Sequence, residues 1–256
     1  MKRFVNVLIV GLSFIASMMF YYMVLGNPAN FDDVEKVLPH NALGLMYLGG
    51  PLVGLLVTFV VVITVYSIER HLSINKAKGK GEPVAFIRKT IGLLEKGELD
   101  TALSECDNQR GAVANVLRAA ITRFKAVEND TNYSAEKKMG EVQRSIDEAL
   151  NLEAPLLQKN LVIISTCATI ATLIGLLGTT VGMIRAFRAL AETGTVSAIQ
   201  LSIGISEALY NTAGGLVGAV LGIIMYNFFT TKVDGFIYMV DEAILNVTQI
   251  FTNKVK

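Results

Sequence analysis

The sequence predicts an all-α membrane protein whose long transmembrane helices extend into a water-soluble helical domain. Three observations carry that prediction. The 256 residues are 52% hydrophobic, with a mean hydropathy of +0.48, which is too apolar for an ordinary soluble domain. The 23 basic and 22 acidic residues nearly cancel, yet they avoid four segments almost entirely: Phe4–Leu25, Ala42–Ser67, Leu161–Ile184 and Thr193–Thr231. A span needs about 20 apolar residues at a rise of about 1.5 Å each, and all four segments are long enough. Between them the charged stretches keep helical spacing, and no strand is required anywhere.

Residues 1–26 form the first span. Lys2 and Arg3 precede an apolar run that is longer than a usual signal-peptide core and is followed by VLGNPAN rather than an A-x-A site. A retained helix is therefore expected, with a cleaved signal peptide as the alternative. The connector 27–41 carries Asp32, Asp33, Glu35 and Lys36 and reads as a solvated external loop. A second span covers 42–68. The block 69–158 holds fourteen Lys and Arg, and by the positive-inside rule it lies in the cytoplasm together with the amino terminus. Within it, FIRKTIGLLEKGELDTALSECDNQR is helical with a break at Gly97, and AVANVLRAAITRFKAV is a second amphipathic helix. Asn129–Ser134 makes a turn, with Ser134 as N-cap of the next helix. From Ala135 one long helix is expected to run into the third span at 159–188, with a kink at Pro155. Arg185 and Arg188 sit against the positive-inside bias at its outer end. A turn at 189–196, near Gly194, leads to the fourth span at 197–230. The tail 231–256, with Lys232, Lys254 and Lys256, returns to the cytoplasm as a helix.

Helices in lipid associate through close-packed small residues and interhelical hydrogen bonds, because apolar burial drives nothing there. Gly214, Gly218 and Gly222 make a doubled GxxxG on the fourth span. Gly178 and Gly182 lead to Ala186 at the same interval on the third. These faces suit packing within the chain and packing between copies alike. Ser165, Thr172 and Thr179 recur every seven residues, and a straight helix drifts by only about 20° per heptad. They therefore form one axial stripe, flanked by Ala168, Gly175, Gly182 and Ala186. Thr212 shares a face with Ala208, Gly215 and Ala219. Two such faces could line a narrow wet passage; the alternative is that each hydroxyl bonds back to its own helix.

Glu207 is the one charged residue in Thr193–Thr231. A carboxyl group at membrane depth costs several kcal/mol unless it is paired, protonated or facing water. Its sequence-level partners are Asn211 one turn on, a neighbouring subunit, or a basic group near Arg185. A single acid in four spans is thin for a self-contained proton path, so a second carboxylate is expected from another chain.

GISEALYNTAGGLVGAVLGIIMYN is similar to the third transmembrane helix of the ExbB/TolQ branch of the MotA/TolQ/ExbB proton-channel family, whose pattern is roughly GIAEAL-x-ATA-x-GL-x-x-AIPA-x-x-x-YN. IATLIGLLGTTVGMIRAF resembles the preceding span, and LLEKGELDTALSECDNQRGAVANVLRAAI the soluble helices. The resemblance covers residues 85–230. It implies a homopentamer in the bacterial inner membrane around two copies of a single-span ExbD/TolR-type partner, whose aspartate carries protons, and work delivered to TonB or Tol–Pal. It also implies that Thr179 and Thr212 face the pore near that aspartate and that Glu207 matches the family's glutamate. The chain departs at Thr172 and Leu221, where the family has proline, and at Tyr210 and Asn211, where it has small residues. The first span is absent from the best-known members and is expected on the outside of the assembly. A MotA-like flagellar stator ranks behind this.

Other classes fit less well. The balanced charge gives no field for nucleic acid. His40 and His71 are separated by a span, and no metal-ligand spacing or phosphate loop is present, so neither an enzyme, a metal site nor a cofactor is expected. A secondary transporter would show more spans and an inverted repeat. A non-channel scaffold is the remaining alternative, with Glu207 as a structural group. Cys106 reads as a core residue of the soluble helices, and no disulfide with Cys167 is expected.

Overall fold

In the computed structural model, residues 2–33, 36, 38–193 and 198–255 are described. Glu35, Lys256 and the turn expected near Gly194 lie outside them. The described chain is helical, with one isolated antiparallel bridge between Phe31 and Pro39. Its helices are α1 (Lys2–Met19), α2 (Ala42–Tyr47), α3 (Pro51–Ala77), α4 (Pro83–Glu95), α5 (Leu99–Gln109), α6 (Ala112–Val127), α7 (Ala135–Gln158), α8 (Leu161–Thr193) and α9 (Ala198–Val255). Among the described residues, four stretches are long and apolar enough to cross a membrane; they fall within Asn6–Leu25, Pro51–Ala77, Ala135–Arg188 and Leu201–Val255. The chain divides into two compact units, one of Met1–Ile68 with Asn160–Asn227, the other of Glu69–Lys159 with Phe228–Lys256.

In the first unit, α1 continues through a π-helical turn, Phe20–Leu25, and lies on α3. Tyr21 stacks on Tyr47 with ring centroids 4.8 Å apart, and its hydroxyl donates to the Tyr47 carbonyl at 3.1 Å. A side chain at Gly54 would meet Met18 Sδ at 2.9 Å, so the glycine lets α1 approach. The span expected at 42–68 is not one helix. It breaks after Tyr47, and α3 starts at Pro51. The cause is the sequence Gly49–Gly50–Pro51: Gly50 adopts φ +74, open to glycine at little cost, and proline excludes the helical region for the residue before it.

In the second unit, α4 to α7 and the end of α9 enclose a core in which Phe124 and Phe251 stack face to face at 3.9 Å, among fully buried Leu94, Val116, Leu117, Ile121, Val142 and Ile146. Gly97, at φ +84, separates α4 from α5. The Ser134 hydroxyl accepts from the Lys137 N–H at 3.3 Å and caps α7. Lys254 donates to the Leu94 carbonyl at 2.7 Å, ending α4 against α9. Cys106 is buried in this core, and burial pushes its thiol up to about 12. The loops after α3 and α5 cross backbone to backbone at Gly79 and Gly111. Both have positive φ, and a Cβ on Gly111 would stand 2.6 Å from the Ala77 carbonyl oxygen.

The continuous helix expected from Ala135 into the third span is interrupted. Pro155 stays inside α7, and the break comes at Lys159 and Asn160, where Asn160 takes φ +63. Asparagine tolerates that left-handed conformation better than most residues. Arg70, only 1% exposed, donates to the carbonyls of Leu156 and Leu157 at 3.3 Å each. A cation at a helix C-terminus satisfies orphan carbonyls and complements the dipole, so the ending of α7 is stabilised from α3.

Candidate functional site

The site grows from the seam between α8 and α9, which run antiparallel. Glycine and alanine meet along it: Gly175 against Gly215, Gly182 against Ala208 and Gly204, Gly204 against Ala186, and Gly222 against Ala168. A Cβ on Gly215 would lie 2.7 Å from the Ala171 carbonyl oxygen and 2.8 Å from Gly175 Cα. Backbones this close leave room for no larger side chain. Gly178 is covered by Asn211, whose Cγ would be 2.6 Å from an added Cβ. The doubled GxxxG turns partly elsewhere: Gly214 faces Leu56 of α3, and Gly218 meets both Ala171 and Val60. Both small-residue faces are thus occupied within the chain.

Midway along the seam, the Thr179 and Thr212 hydroxyls are hydrogen-bonded to each other. Each also reaches its own helix, Thr179 to the Gly175 carbonyl and Thr212 to the Ala208 carbonyl, both at 3.3 Å. Both side chains are half-buried. Thr172 bonds to the Ala168 carbonyl at 3.3 Å and Ser165 to that of Val162 at 3.1 Å. The two sequence-level readings of the hydroxyls therefore coexist. All four bond back to their own helix, and two of them also meet across the seam.

Toward the end of α8, Glu207 is paired with Arg185. Of the partners open to its side chain within the chain, this is the one it finds. The Glu207 side chain is 9% exposed and that of Arg185 58%. Asn211 is fully buried, and its Nδ2 donates to the Gly49 carbonyl at 2.7 Å and to the Glu207 carbonyl at 2.9 Å. Gly50 lies under the acid, where a Cβ would be 2.6 Å from Glu207 Oε1. The break before α3 is thus part of the site: its carbonyl takes the amide, and its glycine makes room for the carboxylate.

Sequence reasoning brought together Thr179, Thr212, Gly175, Gly182 and Gly215, and it named Arg185 as a neighbour of Glu207. It missed Gly204, which has no GxxxG partner on its own helix. It also missed the contribution of Gly49 and Gly50, although Gly-Gly-Pro is a strong breaker signal.

Comparison with known proteins gives the seam a context. The model of the MotA/TolQ/ExbB proton channel family matches residues 108–242, more than half of the chain. A biopolymer transport protein ExbB from Pseudomonas putida is 25% identical over 193 residues, which are 75% of this chain and 56% of that protein. A Tol-Pal system protein TolQ from Pseudomonas aeruginosa is 29% identical over 120 residues, 47% of this chain and 52% of the relative. An ExbB from Aquifex aeolicus is 42% identical over 77 residues, 30% of this chain and 52% of its own. The chain spans about half the length of these curated relatives.

Proposed function

The chain belongs to the MotA/TolQ/ExbB proton channel family, and on that premise we propose that it is the ExbB-type subunit of a motor in the bacterial inner membrane, coupling the proton motive force to TonB-dependent transport across the outer membrane. The family is one of channels rather than of enzymes. Five copies, as the resemblance implies, surround two copies of a single-span ExbD/TolR-type partner that supplies the proton-carrying acid. The connector 27–41 and the carboxyl-terminal end of α8 face outward. Residues 69–158 and the tail from 231 lie in the cytoplasm. The exposed apolar faces of α1, α8 and α9, such as Val7, Leu173 and Val220, meet lipid or a neighbouring copy.

The observation that carries this reading is the Thr179–Thr212 hydroxyl pair on a seam otherwise built of small residues. A hydroxyl both donates and accepts. It can therefore exchange hydrogen bonds with a passing carboxyl group without offering a fixed charge that would trap the proton. Thr172 and Ser165 continue the polar line along α8.

The test is replacement of both threonines by valine, which keeps the shape and removes the hydroxyls. Co-expressed with its single-span partner, Thr179→Val/Thr212→Val is expected to assemble normally and to lose proton-driven uptake through TonB-dependent receptors. Normal uptake in the double variant would refute the lining assignment. The similarity to TolQ supports a second reading, service to a Tol–Pal system. In that case deletion of the gene impairs outer-membrane integrity and leaves TonB-dependent uptake intact.

A further inference from the structure

The α8–α9 seam packs well but specifies its own register weakly. Small residues recur at intervals of three or four along α8, at Ala168, Ala171, Gly175, Gly178, Gly182 and Ala186, and along α9 at Gly204, Ala208, Gly215, Gly218 and Gly222, where Asn211 interrupts the series between Ala208 and Gly215. Sliding α9 by four residues, about 6 Å along the axis, again sets mostly small residues opposite small ones. Van der Waals packing, the main attraction between helices in lipid, changes little on such a slip. Register must come from groups that lose their partner when the helices slide.

Few groups qualify. Asn211 packs over Gly178 of α8, but it spends both Nδ2 hydrogens on the carbonyls of Gly49 and Glu207, so its hydrogen bonds tie α9 to the break before α3 rather than to α8. The Thr179–Thr212 bond and the long 3.4 Å bond from the Thr212 hydroxyl to the Gly175 carbonyl are weak pins, since both hydroxyls already reach carbonyls of their own helices and would keep those after a slip. The Arg185–Glu207 pair is different. It joins α8 to α9 through opposite charges, and the carboxylate side is nine-tenths buried. Sliding Glu207 back along α8 meets no other cation, because Leu161–Ile184 is uncharged. Sliding it the other way carries it toward Arg188, a shift of three residues that does not match the four-residue interval.

We propose that Arg185 is a positioning residue that acts through Glu207 to fix the register of α8 against α9 and thereby holds Thr179 opposite Thr212. Fixing register is the best-attested use of a buried polar or ionic group, and here the buried member is the Glu207 carboxylate. Glu207 is then a latch rather than a station on the proton path. Arg185 lies six residues from Thr179 and Glu207 five from Thr212, about 9 and 7.5 Å along their helices, so a slip at the latch is transmitted to the hydroxyls undiminished. The functional consequence rests on the channel reading above; the register itself does not.

The experiment reads register directly. The full chain, with Cys106→Ala and Cys167→Ala, carries spin labels at Leu177→Cys and Ile224→Cys, two exposed positions. It is diluted into unlabelled chain so that distances within one copy dominate. The parent is expected to give a single distance. Arg185→Gln and Glu207→Gln are each expected to add a population displaced by an axial shift of about 6 Å. Arg185→Lys and the charge swap Arg185→Glu/Glu207→Arg should restore the single distance, also in an Arg188→Gln background. An unchanged single distance in both glutamine variants overturns the proposal, as does failure of both the swap and the lysine variant to restore it. Partner-dependent proton flux, measured on the same samples, should fall at least tenfold in the glutamine variants and recover in the swap. If every form shows the expected distances but the parent carries no flux, the channel reading fails and the register assignment stands.

Discussion

Gly182 and Asn211 set how much change the seam accepts. A Cβ on Gly182 would meet the Ala208 nitrogen and the Gly204 carbonyl oxygen, both backbone atoms, at 2.8 Å. Neither can move without displacing its helix. Gly182→Val is therefore expected to cost about 1–3 kcal/mol, seen as a lower midpoint in a detergent unfolding titration. Gly140 is the contrast, with nothing within 4 Å of an added Cβ. Gly140→Ala in α7 should stabilise by about 0.4–1 kcal/mol through the unfolded chain. Asn211→Ala removes two donated bonds and leaves the Gly49 carbonyl without its donor. A loss of about 1–2 kcal/mol in the same titration is expected; no loss would mean that the tie to Gly49 contributes nothing. Single residues were legible to different degrees. Glu207 stood out because one acid in a long uncharged run is costly. Asn211 was legible as a same-helix neighbour of Glu207 and as a bulky replacement for a small residue, but not as a tie to Gly49, because that acceptor is 162 positions away.

At the level of elements, periodicity marked the helices well and their ends unevenly. α6 coincides with the stretch AVANVLRAAITRFKAV, and Ser134 and Gly97 punctuate the chain where local chemistry requires. The two misplaced ends share a cause. Hydropathy alone joined α2 to α3, overriding Gly49–Gly50–Pro51, and it joined α7 to α8, where the break depends on Asn160 and on Arg70 from a distant helix. Gly50→Ala should be severely disruptive, since the residue needs positive φ and its Cβ would press on Glu207. Within the second unit, α6 and α7 are tied by the Arg123–Glu141 ion pair. The hydrogen bond from Arg123 holds the Glu141 carboxyl below its ordinary value. A depressed acid stabilises the fold fully above its unfolded value of about 4.3, and that contribution disappears as pH falls through the lowered folded value. Amide exchange of α6 and α7, corrected for intrinsic rates, should therefore accelerate on acidification below about pH 4.3. Glu141→Gln should remove that component, and an identical acid response in the variant would assign it to other groups.

At the largest scale, the exposed apolar side chains of α1, α8 and α9 are what a membrane family requires, while Asn211 and the Glu207 carboxylate are buried. The fold class was readable because charge exclusion from four segments is a direct consequence of the bilayer. The seam itself was half readable. Heptad hydroxyls and GxxxG spacing marked its faces, but which face meets which is a tertiary fact that no spacing encodes. By the function proposed above, α8 and α9 wall a proton passage completed by an acidic helix from another protein. Proton flux into liposomes under an imposed potential tests it most directly, comparing the chain alone, the chain with its single-span partner, and the Thr179→Val/Thr212→Val form with the same partner. Flux is predicted only for the unaltered complex. Flux through the chain alone, or undiminished flux in the valine form, would contradict the account.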